Sequence, residues 1–188
     1  MTVMEHKEDQ RVLLTKRILK DSFVSLLKEK SIYKITIREL CDTAGINRST
    51  FYKYYSSQYD LLQEMENEIL SRVNYSLSLI NIKDNSDNRE MLKVILHLLE
   101  ENVEFSRLLV NNNVDPEFPK KLINLPQIQS YISYQLKPKY TNSQIDYISA
   151  FIIYGGYQII QRWINKNHRE PANEMALLIN EFFMGILK

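Results

Sequence analysis

Residues 35–62 read ITIRELCDTAGINRSTFYKYYSSQYDLL. Thr36 stands directly before Ile37, Leu40, Cys41 and Ala44, which follow the i, i+3, i+4, i+7 spacing of one helix face. A hydroxyl at that place can cap the helix, and Glu39 three residues on completes a capping-box pattern. Gly45 ends the helix, because the position after a helix commonly takes φ > 0 and glycine adopts it without strain. Asn47 is the next cap and opens a segment over 48–54 whose two sides differ in chemistry. Phe51 and Tyr55, four apart, share an apolar side, while Arg48, Ser49, Tyr52 and Lys53 share the other. Two short capped helices around a glycine turn, the second with a basic-aromatic outer face, describe a helix-turn-helix.

The preceding segment supplies the support. Within 11–30, Leu14, Ile18, Leu19, Phe23, Leu26 and Leu27 recur mostly at three and four with Lys and Arg between them, which predicts an amphipathic first helix. The second helix buries its stripe against this one, leaving the third to face outward. Charge follows the same division: residues 10–55 hold 10 Lys and Arg against 4 Asp and Glu, a net +6, and the rest of the chain is −5. A basic segment on a mildly acidic body is the electrostatic outline of a small nucleic-acid reader. The major groove admits one helix. There Arg48 can read guanine, and Ser49 and Thr50 can bond base edges or touch a thymine methyl. Tyr52, Lys53 and Tyr54 suit phosphate contacts, which give register and affinity but little sequence information. Thr36 brings a hydroxyl to the opposite phosphate strand.

Beyond this stretch the chain reads as long helices. Glycine and proline number only 4 and 5 in 188 residues, about 5% against a usual share of roughly 12%, too few for sandwiches or barrels. With 44% apolar and 25% charged residues the chain is globular rather than disordered. The expected architecture is all-α with about nine helices, divided into a helix-turn-helix domain over 1–57 and a helical regulatory and dimerisation domain over 58–188. Leu61, Leu62, Met65, Ile69, Val73, Leu77 and Ile80 form one continuous stripe that ends in a polar linker at 83–88. Helices follow over 91–103 and 104–112, then a breaker zone with Asn at 111–113, Pro116 and Pro119. Pro126 suits the first turn of a helix reaching Leu136. Pro138 and Asn142 reset the chain before a helix over 143–167, and Pro171 starts the last.

Several function classes are disfavoured. One cysteine, Cys41, allows no internal disulfide and fits a reducing compartment. The charged N-terminal stretch lacks a secretory apolar region, and no apolar run approaches the roughly 20 residues that span a bilayer; a cytoplasmic protein without a membrane partner is expected. Neither a glycine-rich phosphate loop, a GxSxG elbow nor a metal-spaced His/Cys/carboxylate cluster occurs, so no enzyme, metal or cofactor is expected.

The last third carries two open questions. Ile145, Ile148, Phe151 (or Ile152), Tyr154, Gly155, Ile159 and Trp163 give a helix apolar character around most of its circumference, more than one core face requires. Adjacent glycines at 155 and 156 each cost around 1 kcal/mol relative to alanine in a helix. Close helix approach at a dimer interface would offset that cost; the glycines could instead kink a buried helix or widen a pocket. Ile148, Phe151, Gly155, Ile159 and Phe182 are the candidate interface residues. Aromatic side chains are frequent here, and Phe105, Tyr131, Tyr134, Tyr154 and Trp163 are candidate lining for an apolar or planar ligand. At helical spacing such residues are more often plain core.

The 35–62 stretch closely resembles the N-terminal DNA-binding domain of the tetracycline-repressor (TetR) family, whose pattern is T-[VI]-x-x-[IL]-A-x-x-A-G-[VI]-S-x-x-[TA]-[FL]-Y-x-[YH]-F-x-[SN]-K-x-x-L-L. The resemblance covers roughly residues 11–65 and implies DNA contact by Thr36, Arg38, Arg48, Ser49, Thr50, Tyr52, Lys53 and Tyr54. Cys41 stands where the pattern has alanine, Asn47 where it has serine, and Gln58 where it has lysine, so one phosphate contact loses its charge. FIIYGGYQIIQRWI over 151–164 and PANEMALLI over 171–179 resemble the C-terminal helix pair of one branch of the family, in which the last two helices of each subunit form a four-helix dimer bundle. The implied function is a homodimeric transcriptional regulator, most often a repressor, that binds a palindromic operator and is released by a small-molecule effector. The alternative is a binding module acting mainly through a protein partner, as a co-activator.

Overall fold

The computed structural model of the chain describes residues 3–80, 87–111, 114–137 and 139–186. Regular structure among these residues is helical throughout: α1 (Val3–Glu29), α2 (Ile37–Ala44), α3 (Arg48–Phe51), α4 (Gln58–Ser78), α5 (Asp87–Glu101), α6 (Val103–Val110), α7 (Phe118–Ile123), α8 (Pro126–Leu136), α9 (Asn142–Asn165) and α10 (Ala172–Ile186), with one 3-10 turn at Ile32–Lys34. Residues 83–86 of the expected linker, Asn112 and Asn113 of the breaker zone, and Pro138 lie outside the described residues. The chain divides into two compact units, Met1–Asn67 and Glu68–Lys188, with the division inside α4. The sequence reading divides it at Gln58, where α4 begins.

In the first unit the caps act where the sequence puts them. Thr36 Oγ1 accepts the Glu39 N–H at 3.2 Å. The reciprocal half of the capping box is not made, however, because the Glu39 carboxylate turns to the Lys30 ammonium instead. Gly45 has φ 64°, and Ile46 N–H reaches back to the Cys41 carbonyl at 3.0 Å, closing α2. Asn47 Oδ1 accepts the Ser49 N–H at 3.0 Å and starts α3. That helix is shorter than the 48–54 segment expected: after Phe51 the bonds Lys53 N–H to Thr50 and Tyr54 N–H to Phe51 tighten the chain into a turn. Leu19, Phe23, Leu40, Cys41, Phe51, Tyr55 and Leu61 are all buried. The first stripe is corrected at one end. Leu14 is exposed and Ile18 marginally so, because both lie around the helix from the side on which Leu19 and Phe23 are buried.

In the second unit α5 and α10 lie along each other, and α9 contacts α5, α6, α8 and α10. Trp163, Leu96, Leu99 and Ile179 sit at the centre of the core. The end of α9 is tied to α6 by polar bonds: Arg107 Nε donates to the Ile164 carbonyl at 2.8 Å, and the amides of Asn111 and Asn165 exchange hydrogen bonds at 2.9 and 2.8 Å. Helix α9 begins with a full capping box between Thr141 and Gln144 and continues unbroken through Gly155 and Gly156. One expected break is a helix. Pro119 falls in the first turn of α7, where a missing N–H costs nothing, so it opens an element rather than ending one.

Candidate functional site

The outer face of the helix-turn-helix follows from how α3 is anchored. Phe51 is fully buried and Tyr55 nearly so, their ring centroids 5.5 Å apart. Ser49, Tyr52 and Lys53, one or two positions from Phe51, therefore turn outward, and Arg48 opens the helix beside them. Arg48, Ser49, Tyr52 and Lys53 are exposed, and Thr50 is half-buried beside them. Neither Arg48 nor Lys53 has a carboxylate partner among the described residues. Tyr52 stands edge-on to Phe51 with 58% of its surface exposed, which leaves its hydroxyl free to reach outward. Ser49 donates its hydroxyl proton to Asn47 Oδ1 at 3.0 Å, so its remaining capacity is as an acceptor. Thr36 and Arg38 are exposed on α2. Arg38 lies 3.7 Å from Asp42 in a solvent-facing pair, an interaction worth only about 0.3–0.5 kcal/mol and easily exchanged for a phosphate. Tyr54 departs from the others: it is half-buried, its ring against Tyr55 and under the Lys16 ammonium at 6.0 Å.

Behind this face lies a group that sequence reasoning did not find. The Glu64 carboxylate accepts from Lys16 at 2.7 Å and from the Tyr55 hydroxyl at 2.9 Å, and lies 3.0 Å from Lys20. Partial burial works against its charge, but the bonds from Lys16, Lys20 and Tyr55 prevail and hold its pKa at about 2. One carboxylate thus joins α1, the residue after the α3 turn, and α4. Its partners lie up to 48 residues away, a separation that leaves no local pattern. Tyr33 and Tyr59 were also unforeseen; both are exposed, with ring centroids 6.2 Å apart, and they join the 3-10 turn to the start of α4.

The second unit contains a cavity of about 100 Å³ between α5, α7, α8, α9 and α10. Its wall is mostly apolar, with aliphatic residues such as Ile95, Ile128 and Ile153 and the Phe183 ring. Of the five aromatic residues expected there, Tyr131 lines it. Phe105 and Trp163 do not: both are fully buried in solid packing, and the Trp163 indole N–H is bound to the Glu170 carbonyl at 2.8 Å. Tyr134 and Tyr154 do not either, because their positions on α8 and α9 turn them to the surface.

The candidate interface residues also separate. Phe151, Gly155 and Phe182 are exposed. Ile148 packs on the buried pair Tyr131 and Leu136, and Ile159 on the main core, so both are half-buried in their own chain. Tyr147, Phe151 and Tyr154, at i, i+4, i+7, make an exposed aromatic stripe along α9, and Leu178 and Phe182, four apart on α10, are exposed as well. Tyr147 and Leu178 stand outside the candidate interface set read from the sequence.

Residues 86–185 match the family model described as transcriptional regulator C-terminal region, of the TetR type, and residues 23–65 match that of bacterial regulatory proteins, tetR family. The chain belongs to the TetR family of transcriptional regulators. Members of this family bind DNA and dimerise. This regulator is 26% identical over 106 residues to the dhaKLM operon transcriptional activator DhaS of Lactococcus lactis subsp. lactis (strain IL1403), an alignment that takes in 54% of the chain and 52% of that protein. The chain therefore spans about half the length of this curated relative. The TetR transcriptional regulator from Streptococcus agalactiae 2603V superposes with a TM-score of 0.67 at 21% identity, covering 98% of this chain and 99% of the other. The dihydroxyacetone kinase operon activator DhaS gives 0.61 at 20% identity, covering 93% and 97%. At these identities the structures share a fold. No helix among the described residues of this TetR-family regulator is long and apolar enough to cross a membrane.

Proposed function

We propose that the regulator is a cytoplasmic homodimer that reads a palindromic operator through Thr36, Arg38, Arg48, Ser49, Thr50, Tyr52, Lys53 and Tyr54, and that a small molecule bound in the second unit adjusts its DNA affinity. The observation that carries this reading is the pair of cations, Arg48 and Lys53, without a carboxylate partner among the described residues, on the outer side of a helix whose inner side is locked by Phe51 and Tyr55. One such helix reads too few base pairs to discriminate. Two copies about 34–36 Å apart read both half-sites and add their free energies.

Fluorescence anisotropy on DNA from upstream of its own gene tests it. Binding should weaken steeply with salt, each neutralised phosphate adding about −0.9 to the log–log slope. Arg48→Ala should remove about 1–3 kcal/mol of preference for the operator over scrambled DNA. Lys53→Ala should instead weaken all sequences alike and flatten the salt slope by about one phosphate. Equal loss of specificity in both variants would sink the assignment.

Dimerisation through α9 and α10 is supported by the exposed stripe Tyr147, Phe151, Tyr154 and by Leu178 and Phe182. A twofold interface uses each residue twice. Phe151→Ser should then cost about 2 kcal/mol, raising the dimer dissociation constant roughly thirtyfold in sedimentation equilibrium. An unchanged constant would place the interface elsewhere.

The sign of regulation has a second reading beside repression, favoured by the similarity to DhaS, which is described as an activator. A reporter behind the bound promoter separates them: deleting the regulator raises expression under repression and lowers it under activation.

A further inference from the structure

The cavity of the second unit specifies more about its ligand than its existence does. None of the described residues lining it carries a charge. Two polar side chains besides Tyr131 reach the wall. The Tyr157 hydroxyl donates to the Val110 carbonyl, and burial pushes its pKa up to about 12, so it stays neutral. The half-buried Gln135 amide is the other neutral donor and acceptor that reaches the wall. An ion entering such a site would give up its water without finding a counterion. In size the space, about 100 Å³, is of the order of the apolar cavities of about 150 Å³ that accept benzene.

The wall has a second property. Gly156 lines the cavity, and a methyl group on it would come within 2.9 Å of the Phe183 ring, so the missing side chain is what seats that ring in the wall. The next residues along the same two helices, Gly155 and Phe182, face outward on the apolar surface. Two of the five helices that enclose the cavity, α9 and α10, are therefore the ones that carry the candidate subunit interface.

We propose that the cavity takes a small uncharged molecule of about one ring's size, apolar over most of its surface with at most one neutral hydrogen-bonding group for Gln135, and that its occupancy alters dimer stability through Phe183 and the outer face of α9 and α10. This rests on the effector-controlled dimer proposed above and names the class of effector and its route.

The full chain titrated by calorimetry with benzyl alcohol, and with benzoate and benzylammonium as charged relatives of similar size, tests the class. The neutral probe should bind at least about tenfold more tightly than either ion, and Ile128→Phe, which fills the cavity, should weaken it by a similar factor while circular dichroism is unchanged. Equal or tighter binding of an ion, undetectable binding of benzyl alcohol, or an Ile128→Phe variant that is folded and binds as before would overturn it. The route is tested on the same samples by sedimentation. Saturating benzyl alcohol should change the dimer constant at least about threefold in the parent chain and not in Phe183→Ala, and an unchanged constant in the parent overturns the route. DNA anisotropy measured alongside keeps the two readings apart. Probe binding without any operator binding would defeat the regulator reading and leave the ligand class standing; operator binding without probe binding would do the reverse.

Discussion

Replacing Phe51 by alanine should destabilise the first unit by about 3–5 kcal/mol, the range for deleting a fully buried phenylalanine. The effect is large because α3 holds a single helical turn, Arg48–Phe51, and a turn so short has no stability of its own. Its outward side chains keep their directions only while Phe51 and Tyr55 remain seated. Urea denaturation followed by tyrosine fluorescence measures the loss. Operator affinity should fall with it, although no DNA-facing residue has been touched. Phe51→Leu, which keeps most of the volume, should recover the greater part of both. A Phe51→Ala protein less than about 1 kcal/mol weaker than the parent would mean that the segment is held from elsewhere.

The second large effect concerns acid. Glu64 titrates at about 2 in the folded chain against 4.5 ordinarily, a depressed value. Such a group stabilises the fold fully above the unfolded pKa, near 4.5, and the contribution is lost as pH falls through the folded value. The difference corresponds to at most about 3 kcal/mol. With the side chain 28% exposed, solvent screening makes this an upper figure. Glu64→Gln should therefore be less stable than the parent by up to that amount at pH 7, because Lys16 and Lys20 lose their shared counterion. The two stabilities should converge between pH 4.5 and 2, read from urea midpoints at half-unit steps. Parallel pH profiles would show that another carboxylate governs acid sensitivity.

What could be read in advance was what depends on near neighbours. Thr36, Gly45 and Asn47 each fix a helix end through bonds to residues two to four positions away, and all three do so here. The Arg48 and Lys53 side was legible for the same reason, since Phe51 determines which way the turn faces. Residue type alone carried less. Trp163 and Phe105 are as aromatic as Tyr131, yet only the direction of each side chain, set by distant packing, decides which one borders empty space. Glu39 had two acceptable partners, and a lysine nine residues back in sequence outcompeted the local N–H. Pro119 could end a helix or begin one, and a proline looks the same in either role.

The continuity of α4 bears on how the DNA-reading part can be isolated. A fragment cut after Ser57 would keep every side chain assigned to the operator and yet lose Leu61, Leu62 and Met65, all buried, together with the carboxylate shared by Lys16 and Lys20. Such a peptide should be largely unfolded, whereas one extended through Asn67 retains the whole of its own interior. Reading head and supporting rod are thus a single casting, and shears must close well down the rod to leave a working tool.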